Sequence, residues 1–266
     1  MRVMIFSTKP YDRRSFAARN EAFGHRLHYR EPRLSEETAS LAAGFAAVCV
    51  FVNDVCDATV LEMLAAGGTR LIALRCAGFN NVDLAAAGAL GISVVRVPAY
   101  SPHAVAEFTI GMILAETRLI TLGHRSLSQG QWRGDLYRAD TTGEELCNLT
   151  VGLIGYGEIG TRVVPLLAPF GCRILVDDPY VQLRPEHHAL GVRQVDFDTL
   201  LRESDVVSLH ARVTSETTGF MNAAAFAKMK RGAYFINTAR GPMVDYDALY
   251  AALASGHLRG AMLETF

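Results

Sequence analysis

Cysteine is scarce and scattered. The five, Cys49, Cys56, Cys76, Cys147 and Cys172, form no CxxC pair and no zinc-type spacing, which excludes a disulfide scaffold and a structural metal and points to a reducing compartment, the cytoplasm. An excess of one charge is also missing. A formal net charge of -1 gives no basic face for nucleic acid or for an acidic membrane. No apolar run approaches the length of a bilayer, and the opening MRVMIFST turns polar too soon for a secretory segment, so it reads as a first strand. None of the eight histidines stands at metal-ligand spacing.

What the chain does have is alternation. Its 266 residues, 50% of them hydrophobic, suffice for a large core and suggest two domains. VMIFST, the region around LHYRE, AVCVFV, LIALRC and SVVRV are short β-rich runs, separated by helix-like stretches such as 57–66 and 83–90. A long helix-like segment at 103–123 leads through the polar stretch 126–146 into a second series: CRILVDD, VRQVD, DVVSLH, AYFINT and RGAMLETF. Strand and helix in turn imply parallel sheets covered on both faces. The expected class is α/β with two doubly wound parallel-sheet domains, 1–100 and 101–266.

The second series opens with the one local pattern that states a chemistry. Residues 149–178 read strand, glycine turn, helix, strand, acid, with Gly155, Gly157 and Gly160 in GYGEIG. Gly155 permits the tight turn, Gly157 lets backbone approach a pyrophosphate, and Gly160 lets the helix pack closely on its strand. Tyr156, Glu158 and Ile159 complete the loop, and the helix start offers free N–H groups to phosphates. An acid after the next strand accepts hydrogen bonds from the adenosine ribose and repels a 2′-phosphate, so NAD is expected rather than NADP. Asp178 is the first choice and Asp177 the fallback. The competing reading is a purely structural βαβ turn. Pro165 falls inside the following helix, where it removes a hydrogen bond and predicts a kink over 161–165.

Four further stretches, LRCAGFNNVDL, VRVPAYSPHAVAE, SDVVSLH and YFINTARGPMVD, carry a resemblance. With GYGEIG they resemble the D-isomer-specific 2-hydroxyacid dehydrogenases over essentially the whole chain, and the N-terminal half is most similar to the bacterial fermentative branch that reduces pyruvate to D-lactate. The resemblance implies a flavodoxin-like substrate domain and a Rossmann NAD-binding domain facing each other across a cleft, a small 2-oxo acid substrate, and a homodimer or tetramer. It makes Arg240 the catalytic residue that grips the substrate carboxylate and polarises the carbonyl beside it. Cys76, Ala77 and Gly78 would hold the carboxylate through backbone N–H groups, with Arg75 supporting their turn, and Tyr100 would reach toward substrate. Val105, His210, Asn237, Thr238 and Ala239 would line the nicotinamide and its ribose, although core packing explains lone residues of these types equally well. Asp245 matches the acid of its motif or is a helix N-cap. His103 decorates the first turn of its helix.

Departures from the family pattern set a second group of expectations. Glu264 stands where the family has the aspartate of its last strand, so the proton-donating histidine and its glutamate partner would both fall beyond Phe266, with the final helix. A truncated product would bind NADH, turn over slowly and be poorly soluble. The alternative is a non-catalytic NAD-binding module of the same family; an adenosylhomocysteine-type hydrolase shares the glycine unit but lacks the other contexts. Ala211 and Arg212 replace the usual CysPro, and Phe108 a frequent histidine.

Overall fold

A computed structural model describes residues 1–99, 101–131 and 142–265. The chain separates into two compact units, Met1–Tyr100 and Ser101–Phe266. In the first, five parallel strands, β1 (Arg2–Ile5), β2 (Arg26–Tyr29), β3 (Ala47–Val50), β4 (Leu71–Leu74) and β5 (Ser93–Arg96), form a sheet in the order β2-β1-β3-β4-β5. This is the flavodoxin-like order, whose ligand sites lie at the carboxyl ends of the strands. The apolar residues of these runs, among them Met4, Val48, Val50, Ile72 and Leu74, are buried against Leu61 and Leu64 of α2 (Ala58–Ala66). Asp57 caps α2 by accepting from Val60 N, and Asp83 caps α3 (Leu84–Ala89) by accepting from Ala86 N, both at 2.9 Å; each cap is worth about 1 kcal/mol. A helix not foreseen from the sequence, α1 (Pro10–Asn20), follows β1. Behind the carboxyl edge, buried Asp54 accepts from Ser7 Oγ, Leu34 N and Phe51 N, and so fixes the segments that leave β1, β2 and β3 relative to one another.

The second unit carries six parallel strands, β6 (Thr150–Ile154), β7 (Arg173–Asp177), β8 (Arg193–Gln194), β9 (Val206–Leu209), β10 (Ala233–Asn237) and β11 (Leu258–Leu263), in the order β11-β10-β9-β6-β7-β8. That is the doubly wound nucleotide-binding order, with its switch point between β6 and β9. β11 is an edge strand, paired with β10 alone. Gly152 in β6 leaves no room for a side chain: a Cβ there would lie 2.3 Å from Ser204 Oγ and 2.7 Å from a Leu200 methyl, the second on α8 (Phe197–Glu203).

Three sequence readings change here. The helix expected over 103–123 is two helices, α4 (Pro102–Thr117) and α5 (Ile120–Ser128), broken at Leu119, which takes the left-handed conformation (φ 53°). The returning chain explains the break. Glu144 N donates to the Thr117 carbonyl at 2.7 Å, and Gly143 packs so tightly on residues 117 and 118 that a Cβ would come within 2.8 Å of them; this packing offsets the roughly 1–2 kcal/mol cost of a left-handed leucine. The VRQVD run pairs only through Arg193 and Gln194, and the polar stretch 126–146 lies partly outside the described residues. Pro165 sits inside one uninterrupted helix, α6 (Gly160–Leu167), and the winding tightens only after Leu167, in a 3-10 turn at Ala168–Phe170.

Candidate functional site

The glycine loop between β6 and α6 realises three separate roles. Gly155 has φ 97°, and a Cβ on it would lie 2.6 Å from Ala211 N; only glycine turns here against the neighbouring strand end. Gly160 faces the Gly155 carbonyl. Gly157 faces open space, with nothing within 4 Å of an added Cβ. The N–H groups of Gly157, Glu158 and Ile159 donate to no other described residue, so a row of donors at the start of α6 is open to an anion. Glu158 itself points away into an ion pair with Arg162, 2.6 Å. Arg162 Nε in turn donates to His103 Nε2 in the first turn of α4.

Asp178 follows β7, as its motif position required. One carboxylate oxygen accepts from Tyr156 N (2.8 Å), and the other from Tyr180 N (2.9 Å) and Val181 N (3.0 Å). The acid therefore organises the loop, and the oxygen that meets Tyr156 N keeps acceptor capacity for a ribose hydroxyl. Its neighbour Asp177 is pushed up to about 6 by burial, with Asp178 and Asp196 adding to the effect. Open N–H donors, a vacant face at Gly157 and an acid beside the loop together fit a dinucleotide.

At the carboxyl end of β10, Asn237 shapes the next loop with its own amide: Oδ1 accepts from Ala239 N (2.9 Å) and Nδ2 donates to the Arg240 carbonyl (3.1 Å). Thr238 is tied to α4 through Thr109 Oγ1, 3.1 Å away, which also donates to the Val105 carbonyl. Ala239 is buried and Arg240 exposed. Arg240 pairs with no carboxylate among the described residues; its Nη1 donates to the Ala239 carbonyl, 2.7 Å. Glu264, whose N–H donates to the Asn237 carbonyl, is raised by burial and drawn back by the charge of Arg240. Asp245 accepts from Ala248 N at 3.0 Å and caps α10 (Tyr246–Ala254), which realises the cap reading. His210 is buried, with Nε2 3.0 Å from Ser208 Oγ and Nδ1 without a partner; burial lowers it to about 4, so it stands neutral beside the Gly155 turn.

In the first unit, the turn after β4 presents a second set of open donors. The Cys76 thiol donates to the Gly78 carbonyl (3.3 Å) and Arg96 donates to the Ala77 carbonyl (3.0 Å), while the N–H groups of Ala77 and Gly78 donate to no other described residue. Arg75 braces the strand end beside this turn, donating to the Ser7 carbonyl and pairing with Asp12 at 3.5 Å. Tyr100 lies outside the described residues.

Comparison with known proteins settles the class. The family model described as D-isomer specific 2-hydroxyacid dehydrogenase, NAD binding domain, matches residues 110–266. The chain belongs to the D-isomer-specific 2-hydroxyacid dehydrogenases. It is 45% identical to the D-lactate dehydrogenase of Escherichia coli over 255 residues, 95% of this chain and 75% of that one. It is 42% identical to 2-hydroxyacid dehydrogenase homolog 1 of Schizosaccharomyces pombe, over 100% of this chain and 79% of the relative. The apo structure of the Escherichia coli enzyme superposes with a TM-score of 0.87, covering 100% of this chain and 83% of that one at 42% identity. The Aquifex aeolicus D-lactate dehydrogenase complexed with NAD and lactic acid gives 0.89, covering 99% and 77% at 33% identity. The cofactor of this family member is NAD, and the loop of Gly155, Gly157 and Gly160 with Asp178 beside it would hold it.

Sequence reasoning missed the side chains that connect these parts. The Tyr156 hydroxyl and Thr109 act through partners far along the chain, and no local pattern marks them. Among the described residues no group of three or more His, Cys, Asp or Glu side chains could hold a metal, and no helix is long and apolar enough to cross a membrane.

Proposed function

We propose that this dehydrogenase reduces a small 2-oxo acid, pyruvate foremost, to the D-2-hydroxy acid with NADH. The observation that carries the reading is Arg240: an exposed guanidinium at the carboxyl end of β10, in no ion pair with a carboxylate among the described residues, on a loop held by Asn237 and Thr238. A planar fork of this kind holds a carboxylate through two charge-assisted hydrogen bonds and draws electron density from the adjacent carbonyl. In the first unit, the Ala77 and Gly78 N–H groups, which meet no acceptor among the described residues, suit the same class of anion. Bound NADH supplies the hydride that adds to the carbonyl carbon. Neutral His210 near the glycine turn places no positive charge there to compete with Arg240 for the anion. Pyruvate is favoured by the relatives named for D-lactate.

We take the first unit as the substrate domain, the cytoplasm as the location, and a homodimer or tetramer as the working form, with the exposed apolar residues Ile120 and Leu127 of α5 as candidates for a covered face. The deciding experiment measures NADH binding and pyruvate-dependent NADH oxidation on one preparation. Binding with turnover supports the reading, and turnover with a different 2-oxo acid reassigns the substrate. Tight binding without turnover of any 2-oxo acid supports the non-catalytic module instead.

A further inference from the structure

The middle residue of the GYG turn has a second role, which the glycine motif does not describe. Tyr156 is fully buried. Its hydroxyl makes a short hydrogen bond with His187 Nδ1 on α7 (Pro185–Ala189) and accepts from Arg184 N at 3.3 Å. The two rings meet edge to face, centroids 5.7 Å apart. The backbone of the same tyrosine donates to Asp178. One residue of the glycine loop thus grips both ends of the segment 178–187. Between those ends, Gln194 accepts from Leu183 N and donates to the carbonyls of Asp178 and Val181, so one side chain cross-links the segment along its length.

Proton bookkeeping fixes the direction of the bond. Among the described residues the Tyr156 hydroxyl meets only Arg184 N, which donates to it, and His187 Nδ1, so the one acceptor open to the buried phenol proton is Nδ1 of a neutral ring. A second proton on His187 would turn Nδ1 into a donor and leave the buried phenol proton without an acceptor.

We propose that Tyr156 and His187 are positioning residues for the cofactor: their hydrogen bond holds the segment 178–187 against the glycine loop with Asp178 at the adenosine ribose, and protonation of His187 loosens that grip and weakens NADH binding. The inference rests on NAD as the cofactor and not on the substrate assigned above. The environment of His187 favours the neutral ring. Burial lowers its pKa first; the Glu186 charge opposes this, and the Arg184 charge works in the same direction as burial. From the glycine loop the group facing it is the uncharged phenol. Wild-type affinity is therefore full at neutral pH and falls as the solution becomes acid, below the ordinary histidine range.

The test is NADH titration of the intact protein by fluorescence between about pH 5 and 8, with the His187 ring followed by NMR. Tyr156→Phe keeps the packed ring and removes the bond; it should weaken NADH about fivefold at neutral pH and abolish the acid limb of the affinity profile. His187→Gln supplies a neutral acceptor that does not titrate, and should restore wild-type affinity at neutral pH with a flat profile. Reduced nicotinamide mononucleotide, which lacks the adenosine half, should bind both variants as it binds wild type. A folded Tyr156→Phe protein with wild-type Kd and profile would overturn the proposal. So would an acid limb that persists in His187→Gln, which decides the matter if Tyr156→Phe does not fold, or an equal loss of affinity for the mononucleotide. Wild type that binds no NADH at all would remove the cofactor assignment along with it.

Discussion

Gly160 lies so close to the Gly155 carbonyl that an added Cβ would come within 2.3 Å of its oxygen, whereas a Cβ on Gly157 would meet nothing within 4 Å. The two glycines serve different states of the protein. Gly160→Ala should cost about 1–3 kcal/mol of stability in the absence of cofactor, through forced displacement of the turn. Gly157→Ala should leave the melting temperature of the free protein within about a degree while NADH affinity drops, because only an approaching pyrophosphate would meet the new methyl. Calorimetry with and without NADH separates the two, and equal destabilisation of the free protein by both variants would contradict the assignment.

Arg240→Ala should raise KM for the 2-oxo acid and lower kcat together, with kcat/KM falling about 10²-fold or more, as expected for removal of a charged hydrogen-bonding partner worth on the order of 3 kcal/mol. NADH affinity should change little. Arg240→Lys restores charge but not the fork, and should recover only part of the loss. Kinetics indistinguishable from wild type in Arg240→Ala would remove the residue from the mechanism.

His210 sets an acid limit on stability. Its folded value of about 4 lies below the ordinary 6.5, so the unfolded chain takes up a proton that the folded one refuses. Stability should decline as pH falls from about 6.5 to about 4 and level off on either side, by about 3 kcal/mol at most for this group. Urea denaturation at a series of pH values should show the slope in wild type and a shallower one in His210→Gln.

Asp177 acts with the opposite sign. A folded value raised to about 6 means the folded chain keeps a proton that the unfolded chain has already released, so stability falls as pH rises from the ordinary carboxylate range to about 6. Asp177→Asn should raise the melting temperature above about pH 6, and that advantage should vanish near about pH 4. A variant less stable than wild type at neutral pH would show that the carboxylate has a favourable partner at this position.

The strands were legible because a buried parallel strand is a short apolar run, and the glycine loop because its backbone demands one residue type at three positions. Asp57 and Asp83, at the starts of two helix-like stretches, proved to be caps. The break at Leu119 was not legible: it is imposed by Gly143 and Glu144, which meet α4 only after the chain has turned back. Asn237 read as a cofactor ligand, yet its amide is taken up by the loop it stands on. The Tyr156 and His187 partnership joins residues 31 apart, and neither type carries a sign of its partner. Asp178, read from spacing as the ribose acid, stands beside the glycine loop, but its bonds to three backbone N–H groups could not be seen from spacing.

The open donors at Ala77 and Gly78 and at Gly157 to Ile159 are peptide groups and not side chains. Peptide groups are common to every residue except proline. Divergence can therefore rewrite the walls around each turn while the row of donors itself persists. Only a change in chain length or an imino acid at these turns would erase it.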